Sequence, residues 1–197
     1  MTTWPAPITI SGTYATLLPL DRSHAGALAD ATRDGELWKL WYTTIPSPDA
    51  MADAVHARLA LQARGAMLPF TVLDAQGRIA GMTTYMNVDA THRRVEIGAT
   101  WYARRVQRTP LNTECKLMLL GHAFDALDCI AVEFRTHRFN TQSRRAIERL
   151  GAQLDGVLRA HQRAADGTLR DTAVYSITAA EWPTVRSHLR WQLERPR

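Results

Sequence analysis

The chain has 197 residues, 46% of them hydrophobic and 22% charged, with a formal net charge of +5. That length fits one domain or two small ones, and the balance is that of a globular protein, which excludes a collagen, a coiled-coil rod and a disordered chain. No apolar run approaches the ~20 residues of a membrane span, and Met1 to Ser11 holds no Lys or Arg and two prolines, so neither a membrane segment nor an export signal is expected.

Residues 1–15 read as an extended lead-in, followed by a short strand at 15–20. Asp21 or Ser23 then caps a helix through Ala25, Leu28 and Ala31. Trp38, Leu40, Trp41 and Tyr42 cluster near a second helix start, and Ser47 or Asp49 caps a helix through Val55 and Leu59 that ends at Gly65. Strands follow at 70–73 and 78–87, around a hairpin turn at 74–77. In the strand at 94–102, strict alternation puts Val95, Ile97, Ala99 and Trp101 on one face and Glu96, Gly98, Thr100 and Tyr102 on the other. A helix is predicted over 113–127, with Asn112 as cap and Glu114 in the first turn. A strand at 130–135, a helix at 140–150 capped by Asn140, a hairpin of strands at 154–162 and 169–177, and a helix at about 179–193 complete the chain. The helix at 113–127 is long enough for a crossover, so the strands on either side of it pair in parallel. The class is mixed α/β (α+β), with residues 1–197 as a single domain.

Two stretches carry chemistry. Between 102 and 116 a strand passes through Arg104, Arg105, Gln107, Arg108 and Thr109 into a helix start, where free N–H groups and the dipole favour phosphate. The alternative is a solvated basic loop. Of the 24 basic residues only Lys39 and Lys116 are lysine. The arginine fork suits phosphate and carboxylate, which fits a nucleic acid, a membrane surface or a phosphorylated small molecule, although a GC-rich genome gives the same skew. In the second stretch Ser143, Ala146, Ile147 and Leu150 share one helix face below Asn140. Either Ser143 looks into a cleft, or Asn140 merely caps and Ser143 bonds back to its own helix. Cys115 and Cys129 make no metal or disulfide framework, and none of the residues reads as a metal site; a reduced, cytoplasmic setting follows.

The order of these elements resembles a GNAT-fold N-acetyltransferase of the RimJ/RimL kind, over about residues 13–178. The resemblance rests on Glu96-Ile97-Gly98, the turn at 102–113, Asn140-x-x-Ser143, Arg149-Leu150-Gly151-Ala152, and Asp171 to Ser176, taken in order. It implies a mixed, mostly antiparallel sheet splayed at one parallel pair, with helices on both faces. It further implies acetyl-CoA as donor, its pantetheine arm beside Thr100-Trp101-Tyr102 and its pyrophosphate on the turn from Gln107 to Thr113. The coenzyme residues it implies are Trp101, Tyr102, Arg108, Thr109, Leu111, Asn112, Thr113, Asn140 and Arg144. The family turn, Gln/Arg-x-x-Gly-x-Gly/Ala, here reads Gln107-Arg108-Thr109-Pro110-Leu111-Asn112, so both small positions are replaced and Pro110 offers no N–H.

The implied reaction is direct attack of a primary amine on the thioester, with the oxyanion met by a strand N–H near Trp101 and Ser143 giving a proton to the leaving thiolate. Asn140 holds the coenzyme arm or a water. Glu96 is the candidate base, or else an ion-pair partner of Arg93, Arg94 or Arg135. Tyr175 is a rival proton donor, and His161 faces the substrate or is structural. Trp38, Trp41 and Tyr42 shape an acceptor pocket, or are ordinary core or a dimer contact. The acceptor ranges from a protein N-terminus, a ribosomal protein's included, to a small-molecule amine. A homodimer follows by analogy, without a membrane partner. Two other readings stay open: a non-catalytic acyl-CoA-binding module, and a ribosome- or RNA-associated basic protein.

Overall fold

Short alternating strands in the first half of the chain build an antiparallel meander. A computed structural model describes residues 4–164 and 166–195. It holds eight strands: β1 (Ile10–Ser11), β2 (Ala15–Pro19), β3 (Leu68–Asp74), β4 (Ile79–Asp89), β5 (Arg94–Tyr102), β6 (Ala131–His137), β7 (Gln153–Arg163) and β8 (Leu169–Thr178). They form one sheet in the order β1-β2-β3-β4-β5-β6-β8-β7. Only β5 and β6 are parallel, as the crossover length requires. The lead-in differs from expectation in one respect: Ile10 and Ser11 pair with β2 and extend the sheet by a strand.

Helices cover both faces. Helix α1 (Ala25–Arg33) and helix α2 (Met51–Ala63) bury Leu28, Met51 and Val55 against Met82 and Trp101. On the other face lie α3 (Leu111–Gly121), α4 (Thr141–Glu148) and α5 (Trp182–Glu194). Their Leu119, Leu120, Ile147, Val185 and Leu189 pack on Phe70, Tyr85, Val95, Ile97, Phe134 and Tyr175.

Helix α3 starts two residues earlier than predicted. Pro110 is its N-cap, with φ −58° already helical, so Asn112 sits inside the first turn rather than capping it. It also ends earlier, at Gly121, and continues as a π turn over His122–Ala126. The Tyr85 hydroxyl donates to the Leu119 carbonyl at 2.5 Å and so competes for an acceptor in that turn.

Two buried charges flank α3. Glu114, 7% exposed, accepts three backbone N–H bonds, from Thr13 at 2.8 Å, Tyr14 at 2.6 Å and Ala15 at 2.8 Å. These amides curl out of the β1–β2 connection, so one carboxylate fastens the helix to the start of the sheet. A Cβ on Gly12 would stand 2.5 Å from the Glu114 Cδ, which explains a glycine there. On the other flank Lys116 reaches β4 and β5. Replacing Glu114 with alanine strands three N–H donors and is expected to lower the unfolding free energy by about 3 kcal/mol, read by urea titration. Gly12→Ala, which displaces the carboxylate, is expected to cost about 1–3 kcal/mol in the same assay.

Candidate active site

The parallel pairing of β5 and β6 lasts three residues: Arg94 opposite Ala131, Val95 opposite Val132 and Glu96 opposite Glu133. Beyond Glu96 the strands diverge. From Ile97 to Tyr102 the edge of β5 that faces β6 has no strand partner, and β6 turns its far edge to β8. An unpaired edge carries backbone donors and acceptors ready for an amide-bearing chain.

A bulge sits in this edge. Met82 pairs with Trp101 while Thr84 pairs with Gly98, so Thr83 faces both Ala99 and Thr100. Ala99 has φ +47°, a left-handed conformation that costs an alanine about 1 kcal/mol. The extra residue inverts the alternation read from the sequence. Trp101 joins the α1–α2 cluster, on the face opposite Val95 and Ile97. Thr100 and Tyr102 turn toward α3, where Tyr102 lies beside the Cys115 thiol. The expectation that Glu96 faces the same way as Thr100 and Tyr102 is therefore corrected: Glu96 shares its face with Trp101.

Glu96 is 5% exposed and stands at the last paired position before the split. Its Oε2 accepts from Asn87 Nδ2 at 2.6 Å. Of the arginines named as rival partners, Arg135 is the one beside it, with Nε at 3.6 Å. Arg135 is shared with Glu133 at 2.8 Å, and Glu133 is shared in turn with Arg94 at 2.6 Å. Burial pushes the Glu96 carboxyl above its ordinary value, against the opposing pull of Asn87 and Arg135. A Cβ on Gly98 would come within 2.7 Å of Glu96 Oε1, so the glycine leaves that oxygen room.

The turn after β5 divides its arginines. Arg105 is not available to a phosphate. It pairs with the buried Asp74 of the β3–β4 hairpin and donates to the Ile79 carbonyl at 2.7 Å. Arg104 is exposed, and its backbone N–H bonds the Asp34 carbonyl. Arg108 is exposed in the left-handed region, φ +60°. Gln107 Nε2 donates to the Tyr102 carbonyl at 2.9 Å, and the Thr109 hydroxyl donates to the Val106 carbonyl at 2.7 Å. Leu111 and Thr113 are buried and anchor the helix start. The amides of Asn112 and Thr113 fall in the first turn, where helix geometry supplies no partner.

Helix α4 enters from the other side of the gap. Asn140 caps it, accepting on Oδ1 from the Ser143 N–H at 3.0 Å, which leaves Nδ2 as a donor. Ser143 is half-buried, and its hydroxyl does not bond back to the helix. Arg144 Nε donates to the Tyr175 hydroxyl at 2.8 Å, and that hydroxyl donates to Glu148 at 2.7 Å. Tyr175 is fully buried and committed to α4. His161 Nδ1 meets the Thr172 hydroxyl at 3.1 Å on the β7–β8 hairpin.

Trp41 lies 64% exposed with its ring edge-on to His137 at 5.2 Å and to Tyr42 at 5.6 Å. Phe139, 63% exposed, stacks on His137 at 5.8 Å. Burial holds the His137 imidazole below its ordinary value. Sequence reading named Trp41 and Tyr42 but missed His137 and Phe139, and it missed Asn87 and Lys116. Nothing in a local pattern brings β4, α3 and the end of β6 together.

No group of three or more His, Cys, Asp or Glu side chains suited to a metal ion occurs among the described residues, and no helix among them is long and apolar enough to cross a membrane. A coenzyme with an amide-bearing arm and a diphosphate does fit. The open edge of β5 offers the arm backbone partners, and the helix start with Arg108 offers the diphosphate donors. Trp101, which the resemblance made a coenzyme residue, is instead buried in the α1–α2 cluster on the opposite face, with its Nε1 unpartnered.

Comparison with known proteins agrees. A family model described as an acetyltransferase (GNAT) domain matches residues 15–153. A GCN5-related N-acetyltransferase from Brucella melitensis superposes with TM-score 0.83 at 28% identity, over 96% of this chain and 86% of that one. Mycobacterium smegmatis RimJ in complex with CoA-disulfide gives 0.80 at 23% identity, over 94% and 95%. A Salmonella typhimurium acetyltransferase that modifies the N-terminal serine of ribosomal protein L7/L12 gives 0.77 at 18% identity, over 87% and 99%. A search of curated protein sequences gave no match. With its one parallel strand pair split open after three residues, the chain belongs to the GNAT acetyltransferases and is an enzyme that takes its acetyl group from acetyl-CoA.

Proposed function

We propose that the chain, as one domain over residues 1–197, transfers the acetyl group to a primary amine by direct attack. The observation that carries this reading is the division of groups across the split. Glu96 stands at its apex on the α1–α2 face, while Asn140 and Ser143 open α4 on the α3 face. An amine and a coenzyme then approach from opposite faces of the sheet and meet at the gap.

Acetyl-CoA supplies the activated thioester. The backbone of β5 from Ile97 to Tyr102 aligns the arm and presents N–H groups to a carbonyl oxygen. The turn from Arg108 to Thr113 and its helix start hold the diphosphate. Ionised Glu96 accepts the proton that the acceptor ammonium must lose before it attacks, directly or through one water. Ser143 donates its hydroxyl proton to the departing sulfur, and Asn140 Nδ2 orients the end of the arm. Arg144, held by Tyr175, stays close enough to the helix start to add positive potential. Trp41, Tyr42, His137 and Phe139 form the wall at the wide end of the gap, where the acceptor's body rests. The acceptor is a protein N-terminus or a small-molecule amine. The Salmonella neighbour acts on an N-terminal serine of L7/L12, so a peptide of that type is the first acceptor to try.

Thiol release from acetyl-CoA against a panel of amines tests the activity. Coenzyme binding without transfer to any amine would favour a non-catalytic acyl-CoA module instead. Ser143→Ala is expected to lower kcat about 100-fold while coenzyme affinity measured by calorimetry stays close to wild type. Unchanged turnover would remove the hydroxyl from the chemistry.

The pH profile tests Glu96. Only the carboxylate form accepts a proton, and burial raises the pH at which that form appears. Activity is expected to fall on acidification at a pH above the ordinary glutamate range, and Glu96→Gln is expected to abolish that limb. An identical limb in Glu96→Gln would assign it to another group.

A further inference from the structure

Lys116 is, among the described residues, a buried cation whose partners the chemistry above does not use. It is 6% exposed and sits in the second turn of α3. Its ammonium makes no ion pair among the described residues; Nζ donates to the Thr100 hydroxyl at 2.9 Å and to the Thr83 hydroxyl at 3.4 Å. Those two hydroxyls bond one another at 2.8 Å. Burial lowers the ammonium pKa to about 8. Burying a charge against two neutral hydroxyls is costly, and an apolar side chain of the same length would pack that space at less cost. The position therefore calls for what only the ammonium does.

The place of the triangle says what that is. Thr83 is the β4 residue opposite the bulge, and Thr100 is the second residue of the bulge itself. The bulge shifts the alternation by one residue, so that Thr100 and Tyr102 face α3 and Trp101 faces α1 and α2 along the open edge of β5. Lys116 belongs to the helix whose first turn follows Arg108 to Pro110. One side chain thus ties the strand edge to the diphosphate turn. We propose that Lys116 is a positioning residue, whose buried ammonium pins the β5 bulge through Thr100 and Thr83 and fixes the spacing between the two half-sites for coenzyme A. The inference rests on the reading that the coenzyme spans that edge and that turn.

Fixed spacing matters only to a ligand that spans both half-sites, because joining two ligand halves gains affinity only when the geometry lets both engage at once. Calorimetry on the full chain therefore compares coenzyme A with its separate pieces, 3′-phospho-ADP and pantetheine. In Lys116→Met, which keeps the length and removes the charge, coenzyme A affinity is expected to fall about tenfold, with each piece within about twofold of wild type. The KM for acetyl-CoA should rise with it. Coenzyme A affinity equal to wild type, with only a lower melting temperature, would overturn the proposal by reducing Lys116 to packing. A matching fall for 3′-phospho-ADP alone would overturn it too, since the lysine would then act on the turn and not on the spacing. Should Lys116→Met fail to fold, Thr100→Val keeps the lysine and removes its nearer anchor; the same pattern is expected, and unchanged coenzyme A affinity would overturn the proposal. Wild-type protein that binds no coenzyme A would instead overturn the reading of the site, a result separable from an altered variant of a binding-competent enzyme.

Discussion

The parallel contact between β5 and β6 stops after Glu96, and the rest of the site follows from that early stop. A sheet normally satisfies every backbone group on an interior strand. Here the pairing ends at three residues, and a six-residue edge is left in the middle of an eight-stranded sheet. Exposed edges invite pairing with another chain, and this one is where the proposed function seats the amide-bearing arm of the coenzyme. The bulge at Ala99 shifts the alternation by one residue, so that Trp101 faces away from Val95 and Ile97 while Thr100 and Tyr102 face α3.

Buried charge is concentrated around this split. Glu114 is satisfied by three backbone amides, Glu96 by Asn87 and a shared arginine, and Lys116 by two hydroxyls. Each leaves water at a cost, and each joins elements far apart in sequence. Glu114 ties α3 to the first hairpin. Lys116 ties it to the bulge. Asp74 draws Arg105 away from the turn after β5 and into the scaffold. Of the turn arginines Arg105 is thus structural, while Arg104 and Arg108 are exposed.

Much of the architecture was legible because it depends on local rules. The cap at Asn140, the hairpin at Asp74 to Gly77 and the parallel crossover all follow from residue types at fixed spacing, whereas Asp21 caps a 3-10 turn over Arg22–His24 and not the helix from Ala25 itself. The helix face of Ser143, Ile147 and Leu150 also stands as read. The face of Glu96 was misjudged because strict alternation has no way to announce an inserted residue. Ala99 is not a glycine, and its left-handed backbone is imposed by register with β4. Asn112 was misjudged as the cap because Pro110 presets the helical φ two residues earlier.

The sequence by itself determined the element order and the family, since periodicity, caps and turn chemistry are properties of short windows. The tertiary structure alone decided which charges meet. Arg135 rather than Arg93 or Arg94 lies beside Glu96, Arg105 belongs to Asp74, and Lys116 belongs to the bulge. Such pairings depend on strand register and on how far two strands diverge. Those quantities are set by packing across the whole sheet, and a one-residue slip reverses every side chain beyond it.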